Sequence, residues 1–193
     1  HTGFDLTYDL HAKGLIVGRT EVQLRPIRAG VFNYTSKSAA VGLAALIRDV
    51  RIVEQSQFEV RQGKLKPLRY SYDREGKHKR RSVRVDFDWG NGLASNTAKD
   101  RTWKIAIQPQ TLDKLNYILA LMADLVTGRK SFRYSIADGG KLKVFTIQRL
   151  GTEKITTLLG PTETIVIQRS RKGGKRITTL WCAPALGYAP IQI

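Results

Sequence analysis

Sulfur and acid are scarce in this chain, which has a single cysteine, a single methionine, and only 16 acidic residues against 33 lysines and arginines. One cysteine, Cys182, excludes an internal disulfide and a cysteine-built zinc site within one chain. It follows Trp181 near the end of an apolar strand, where a buried small side chain is its ordinary role and no neighbouring pattern would activate the thiol. Histidine is equally thin: His11 and His78 are isolated, His1 is terminal, and none has the partners a metal site needs. Neither a metal nor a cofactor is therefore expected. Long apolar runs are missing as well. The longest, Tyr117 to Met122, falls far short of the roughly 20 residues a membrane-spanning helix requires.

What is present is positive charge, a net +17, with a pI near 10.3. Such a field attracts anions: nucleic acid, phospholipid or lipopolysaccharide head groups, or acidic polymers. Hydrophobic residues make up 41% of the 193 residues, enough to build a core and unlike a disordered chain. Residues 1–193 read as a single β-rich domain.

Glycines supply the rhythm. Gly63, Gly76, Gly90, Gly139, Gly151, Gly160, Gly173 and Gly187 separate short runs of alternating apolar and polar residues, the mark of an antiparallel meander. Between Ser82 and Trp89 the pattern is cleanest, with Val83, Val85, Phe87 and Trp89 on one face and Ser82, Arg84, Asp86 and Asp88 on the other. Strands are expected at residues 4–10, 15–24, 31–38, 51–60, 66–72, 81–89, 101–108, 132–137, 142–148, 153–158, 164–170, 176–182 and 188–193. The apolar segment Val41 to Ile47 breaks the beat as a helical turn or flap. One helix is expected from Thr111 to Val126, capped by Thr111 and closed by Gly128, with Leu112, Leu115, Ile118, Leu119, Met122 and Val126 at helical spacing; Tyr117, Leu121 and Leu125 add a second apolar flank. The fold class is mainly β: a strongly curved antiparallel meander or incomplete β-barrel of about a dozen strands, with this helix packed against or plugging it.

Two clusters of cations stand at hairpin tips. Arg74, Lys77, Lys79, Arg80, Arg81 and Arg84 surround Gly76, and Arg169, Arg171, Lys172, Lys175 and Arg176 surround Gly173 and Gly174. Folded to one rim they would clamp a phosphate or carboxylate; singly, they would keep strand edges soluble. Trp89 and Trp103 occupy alternating strand positions that read as core, and no aromatic residues interleave with the cations as a nucleotide-stacking platform would demand. Nucleic acid is thus an unfavoured partner, although a backbone-tracking groove needs only charge. Glu54 and Glu59, set among Arg51, Gln55, Gln57 and Arg61, read as cross-strand ion-pair partners rather than an acid and base. No catalytic constellation is apparent, so enzyme activity is not expected.

The hairpin Tyr8 to Leu24 with Gly14 and Gly18, the stretch Gly63-Lys64-Leu65-Lys66-Pro67-Leu68-Arg69-Tyr70, the strand Val85 to Asp88, and the helix opening Leu112-Asp113-Lys114 resemble a known family. So does the ending, in which Gly160 and the strand Arg176 to Trp181 precede Tyr188-Ala189-Pro190-Ile191. The family is that of bacterial exported proteins carrying domain of unknown function 3108. These motifs are structural glycines, prolines and aromatics, so no catalytic residue is carried over. The resemblance implies export to the periplasm of a Gram-negative bacterium, with association to the envelope, on a β-rich fold similar to lipid-handling barrels.

Charge, an expected cavity and the resemblance lead to one expectation: a non-enzymatic periplasmic protein that binds an amphipathic anionic envelope molecule. Its head group would meet the basic rim, and its acyl chains the apolar inner strand faces. Val41, Leu43, Leu46 and Ile47 of the flap, with Leu115, Ile118, Leu119 and Met122 of the helix, would line or gate the cavity. The alternative is an envelope scaffold whose basic faces bind a protein partner or peptidoglycan.

Overall fold

The computed structural model describes residues 3–47, 49–77, 80–157, 160–171 and 173–193. Residues 1–193, read from sequence as one β-rich domain, group into two compact units: His1–Asn116 with Ala137–Lys141, and Tyr117–Ile136 with Leu142–Ile193.

Period-two alternation turns most of the first unit into eight consecutive antiparallel strands: β1 (Phe4–Ala12), β2 (Leu15–Arg28), β3 (Val31–Ala40), β4 (Val50–Arg61), β5 (Lys64–Gly76), β6 (Arg81–Asp88), β7 (Leu93–Ala98) and β8 (Arg101–Ala106). Each pairs with the next, in the order β1 to β8, and the sheet curls as a half-barrel. A helical turn, α1 (Leu43–Ile47), links β3 to β4, and a two-residue strand, β9 (Leu112–Asp113), follows β8. The tight hairpins are set by residues able to take left-handed backbone: Lys13 and Gly14 have φ of 51° and 81°, and Gln62 and Gly63 have 49° and 71°. Two such residues in succession give the turn whose twist matches that of paired strands.

The meander's concave register can be followed row by row. One row crosses Leu24, Tyr34, Ser56, Tyr70, Val85 and Asn96, and the next crosses Val22, Ser36, Glu54, Tyr72 and Val83. Val83 and Val85 are buried while Ser82, Arg84 and Asp86 are exposed, as the alternation predicts. Pro67 sits opposite Phe58 where the β4–β5 register shifts, the kind of irregularity at which a strand tolerates proline. β7 escapes sequence reading because its two fully buried side chains are Ala94 and Asn96, one small and one polar.

The strands of the second unit, apart from residues 137–141 that group with the first, are β10 (Ser131–Asp138), β11 (Lys141–Thr157), β12 (Gly160–Arg171), β13 (Ile177–Ala183) and β14 (Ala189–Gln192), hydrogen-bonded in the order β14-β13-β12-β11-β10. Leu121, Ile136, Ile147, Ile167 and Leu180 are among its fully buried side chains. The strands expected at 142–148 and 153–158 are one strand, β11, because the register shift between Arg149 and Gly151 absorbs the glycine as a bulge instead of ending the ladder.

The helix is shorter than its apolar pattern suggests: α2 spans Tyr117–Leu125. Thr111, the expected cap, instead accepts the Gln108 N–H at 3.0 Å. The capping work falls to Asp113, whose Oδ1 accepts the N–H groups of Leu115 and Asn116 at 2.8 Å each, while Asn116 Oδ1 accepts the Asp113 N–H at 3.0 Å. Local side-chain bonds of this kind compete with helix, so residues 112–113 form β9 and residues 114–116 turn before α2 begins. At the other end the Gly128 N–H returns to the Leu125 carbonyl at 3.2 Å, with Gly128 at φ 72°. Val126 therefore falls outside the helix.

Candidate functional site

The first basic tip, at the β5–β6 turn, divides between the two faces of its ladder. Arg74 and Arg81 lie directly opposite each other on the concave side. The Arg81 guanidinium stands 5.8 Å over the Tyr72 ring, and Arg74 Nε is buried without a hydrogen-bond partner. Arg84, on the other side, lies 3.6 Å from Asp73. Lys77 and Arg80 share a depression of about 420 Å³ with Asp49, Arg51, Glu75 and Gly76. Two carboxylates thus moderate a tip that looks wholly basic in sequence. Lys79, with His78, lies outside the described residues.

The second tip belongs to the other sheet, on the β12–β13 connection. Arg171, Lys175 and Arg176 are exposed there, and Lys172 lies outside the described residues. Arg169 is not a rim residue at all. Its guanidinium donates to the Tyr117 hydroxyl and, at 2.9 Å, to Thr178 Oγ1, and it lies 4.9 Å over the Phe145 ring. A cation sandwiched this way is part of the second unit's packing.

On the concave face of the meander, polar side chains sit among buried apolar and aromatic ones, such as Tyr34, Tyr70, Val83 and Val85. Ser56 and Asn96 are fully buried, and Ser56 donates to Asp113 at 2.5 Å. Lys114 reaches Glu54 at 3.4 Å and lies 4.9 Å from the Tyr72 ring centroid, while the Tyr70 hydroxyl donates to Glu54 at 2.5 Å. Glu54 thus takes its ion pair from Lys114, beyond the sheet, and a hydrogen bond from Tyr70 on the neighbouring strand. Glu59 does pair across the ladder, with Lys66 at 3.5 Å. Burial, opposed by the Ser56, Asn116 and Leu115 hydrogen bonds, pushes the Asp113 carboxyl up to about 6. Burial and then the neighbouring Glu54 push Tyr70 far above the usual phenol range. Burial alone raises the Cys182 thiol to about 12, as suits an inert buried residue.

The residues expected to line or gate a cavity line neither the depression at the first tip nor the groove at the far end of the sheet. Leu43 and Leu46 are 79% and 75% exposed. Val41 is half-buried, and the Ile47 side chain lies outside the described residues. Leu115, Ile118, Leu119 and Met122 are half-buried, while the buried stripe of α2 is Tyr117, Leu121 and Leu125. On a helix apolar all round, spacing alone does not select the covered face.

That groove, which sequence reading missed, lies at the opposite end of the meander from the first tip. It encloses about 400 Å³ among Arg61, Lys64, Leu65, Lys66, Trp89, Gly92, Ile107, Gln108, Pro109 and Gln110. Trp89, read as core, is half-buried and stacks on Phe87 with ring centroids 5.9 Å apart. Its indole N–H is committed to the Pro67 carbonyl at 2.7 Å, so the ring offers the groove an apolar surface fixed in place. Lys66 stands 5.5 Å over that ring. Glu59 steadies both Lys66, at 3.5 Å, and Arg61, at 3.1 Å. The wall at 107–110 is braced by Ile107 N–H to Gly92 carbonyl, 2.9 Å, and by Thr111, which exchanges backbone and side-chain bonds with Gln108 at 3.0 Å each way. The pattern Lys64-Leu65-Lys66 ahead of Pro67 was the available signal: two cations flanking an apolar residue beside a tryptophan turn. Trp103, also read as core, is 37% exposed because β8 is an edge strand, and it lies against Gly140.

Among the described residues no group of three or more histidines, cysteines or acids could hold a metal, and no helix is long and apolar enough to cross a membrane. In comparisons with known proteins, the family described as protein of unknown function (DUF3108) matches residues 7–193. No curated protein matches. Among solved structures, the chain is similar to a β-barrel-like protein of domain of unknown function DUF1849 from Brucella abortus, with a TM-score of 0.54 and 12% identity, over 94% of this chain and 84% of that one. At that identity the likeness is one of fold.

Proposed function

We propose that this chain, which belongs to the DUF3108 family, is a non-enzymatic protein of the Gram-negative periplasm that holds an amphipathic anionic envelope molecule in the Trp89 groove. One observation carries the reading: an open groove of about 400 Å³ combines a fixed indole, Leu65, Ile107 and Pro109 with the cations Arg61, Lys64 and Lys66. That volume is within the range of small-ligand sites, about 300–1,000 Å³. An acyl chain is matched by the apolar floor and a phosphate or carboxylate by the three cations. The chain's net charge of +17 favours anion capture before contact. The non-enzymatic part is supported by the groups with raised pKa, Asp113, Tyr70, Tyr134 and Cys182, each shifted chiefly by burial and none lining the groove.

Native mass spectrometry with a monoacyl phosphatidylglycerol tests the proposal. A one-to-one adduct is expected, strongly reduced by Lys64→Glu with Lys66→Glu. If no adduct forms, and extraction of the purified protein yields no lipid or glycolipid, the carriage reading fails in favour of a scaffold. Cell fractionation tests the compartment, and recovery in the cytosol would rule out the periplasmic role.

A further inference from the structure

A meander places its turns alternately at two ends, and most of the first unit's strongly exposed apolar side chains gather at one of them, with Ile27, 52% exposed, at the other. The end opposite the groove carries the β1–β2 turn, α1 and the β5–β6 turn. There Leu43, Leu46 and Leu15 are 79%, 75% and 70% exposed, and Ile16 and Leu10 are 46% and 44% exposed. The register makes them neighbours. Gly18 pairs with Ala40, the Val41 N–H donates to the Val17 carbonyl at 3.2 Å, and α1 packs on β2 and β3. Within α1 the small Ala44 and Ala45 are half-buried, whereas Leu43 and Leu46, three apart, share one exposed side.

Cations flank these side chains. Lys13 forms the turn just ahead of Leu15, and Arg51 pairs with Ala39 beside the α1 link. Lys77 and Arg80 share a depression with Arg51, Asp49 and Glu75 next to the Val50–Gly76 pair, and with Lys13 the four cations outnumber these two acids. We infer that this end of the first unit is a docking surface for an anionic lipid bilayer, with Leu43, Leu46 and Leu15 entering the acyl boundary and Lys13, Arg51, Lys77 and Arg80 meeting the headgroups. Charge complementarity selects the occupant. Leucines on a short turn and a hairpin tip reach only shallowly, which suits the headgroup boundary, and a flank of net positive charge adds attraction to anionic lipid that a neutral surface lacks. A stable protein interface would need about 800 Å² of surface from each partner. The groove lies at the other end of the sheet, so the two sites stand or fall separately.

Co-sedimentation with vesicles of phosphatidylcholine, with and without phosphatidylglycerol, tests the inference. The protein is expected to bind the phosphatidylglycerol vesicles, less so as salt screens the cations. Leu43→Ser with Leu46→Ser should weaken partitioning by about tenfold or more, since two exposed apolar anchors are lost. Its melting temperature should not move, because neither side chain is buried. Lys77→Glu with Arg80→Glu should remove much of the salt-sensitive part. A Leu43→Trp variant should show blue-shifted emission on these vesicles. Lys64→Glu with Lys66→Glu should keep the leucine-dependent binding even if groove loading is lost. Unchanged binding by the leucine variant, or equal binding to neutral vesicles, would overturn the inference. So would self-association that the leucine variant abolishes, which would assign the surface to a second copy of the chain.

Discussion

Replacing Asp113 by asparagine should change how stability depends on pH. The carboxyl is fully buried and its pKa is raised from 3.8 to about 6, mainly by desolvation against three hydrogen bonds that work the other way. Below about pH 4 both folded and unfolded chains hold the proton, and the site costs nothing. As pH rises the unfolded chain releases its proton first, while the folded chain keeps it until about 6. Native stability is therefore lost through this interval, by about 1.4 kcal/mol per pH unit and about 3 kcal/mol in all, and the loss is complete at neutral pH. The Asp113→Asn side chain has no such titration, and its amide oxygen can still accept the Leu115 and Asn116 N–H groups. Urea unfolding of both chains at steps from about pH 3 to pH 8 should show the stability of Asp113→Asn relative to wild type rising by about 3 kcal/mol, most steeply between about pH 4 and 6. Parallel pH profiles would refute the reasoning, because an ionised Asp113 would then be no harder to bury than a neutral amide.

Arg169→Ala should lower unfolding free energy by about 2 kcal/mol, through lost hydrogen bonds and ring contacts, whereas Arg171→Ala should cost less than about 0.5 kcal/mol. Urea titration of the two variants separates them, and equal effects would contradict the division between a packed and an exposed arginine. Gly140→Ala should destabilise by about 2 kcal/mol or more, since φ is 72° and an added Cβ would overlap the Trp103 indole. Adding Trp103→Ala should recover the steric part in thermal unfolding and leave the backbone part; no recovery would show that the indole is not the obstacle. Cys182 should resist thiol-specific alkylation in the folded chain and react on unfolding, because it is buried and its thiol is raised to about 12.

The strands were legible wherever one face is apolar and the other polar, and β6 is the clear case. β7 was not, because Ala94 and Asn96 face inward and leave no hydrophobic beat. The start of α2 was missed for a related reason: Asp113 and Asn116 make local bonds that outweigh the helical spacing of Leu112 and Leu115. Charge clusters were visible at once, but their roles were not. Arg169 looked like its neighbour Arg171, and only the approach of Tyr117, Thr178 and Phe145 makes it structural. The groove was hidden because Trp89 continues a core-like alternation, while Gln108-Pro109-Gln110 carries neither charge nor period. Its assembly depends on bringing β5, the turn after β6 and residues 107–110 together, which no local pattern encodes.

The tryptophans allow a direct test of the groove, since the chain contains three, Trp89, Trp103 and Trp181, and each gives one indole N–H signal in a nitrogen–proton correlation spectrum. Trp89 donates to the Pro67 carbonyl beneath the groove, and Trp181 donates to Glu153 at 2.8 Å in the second unit. Titration with a monoacyl phosphatidylglycerol should move the Trp89 signal saturably, leave that of Trp181 in place, and lose its effect in Lys64→Glu with Lys66→Glu. Saturable binding that leaves the Trp89 signal fixed, or no binding at all, would contradict the assignment of the groove as the ligand site.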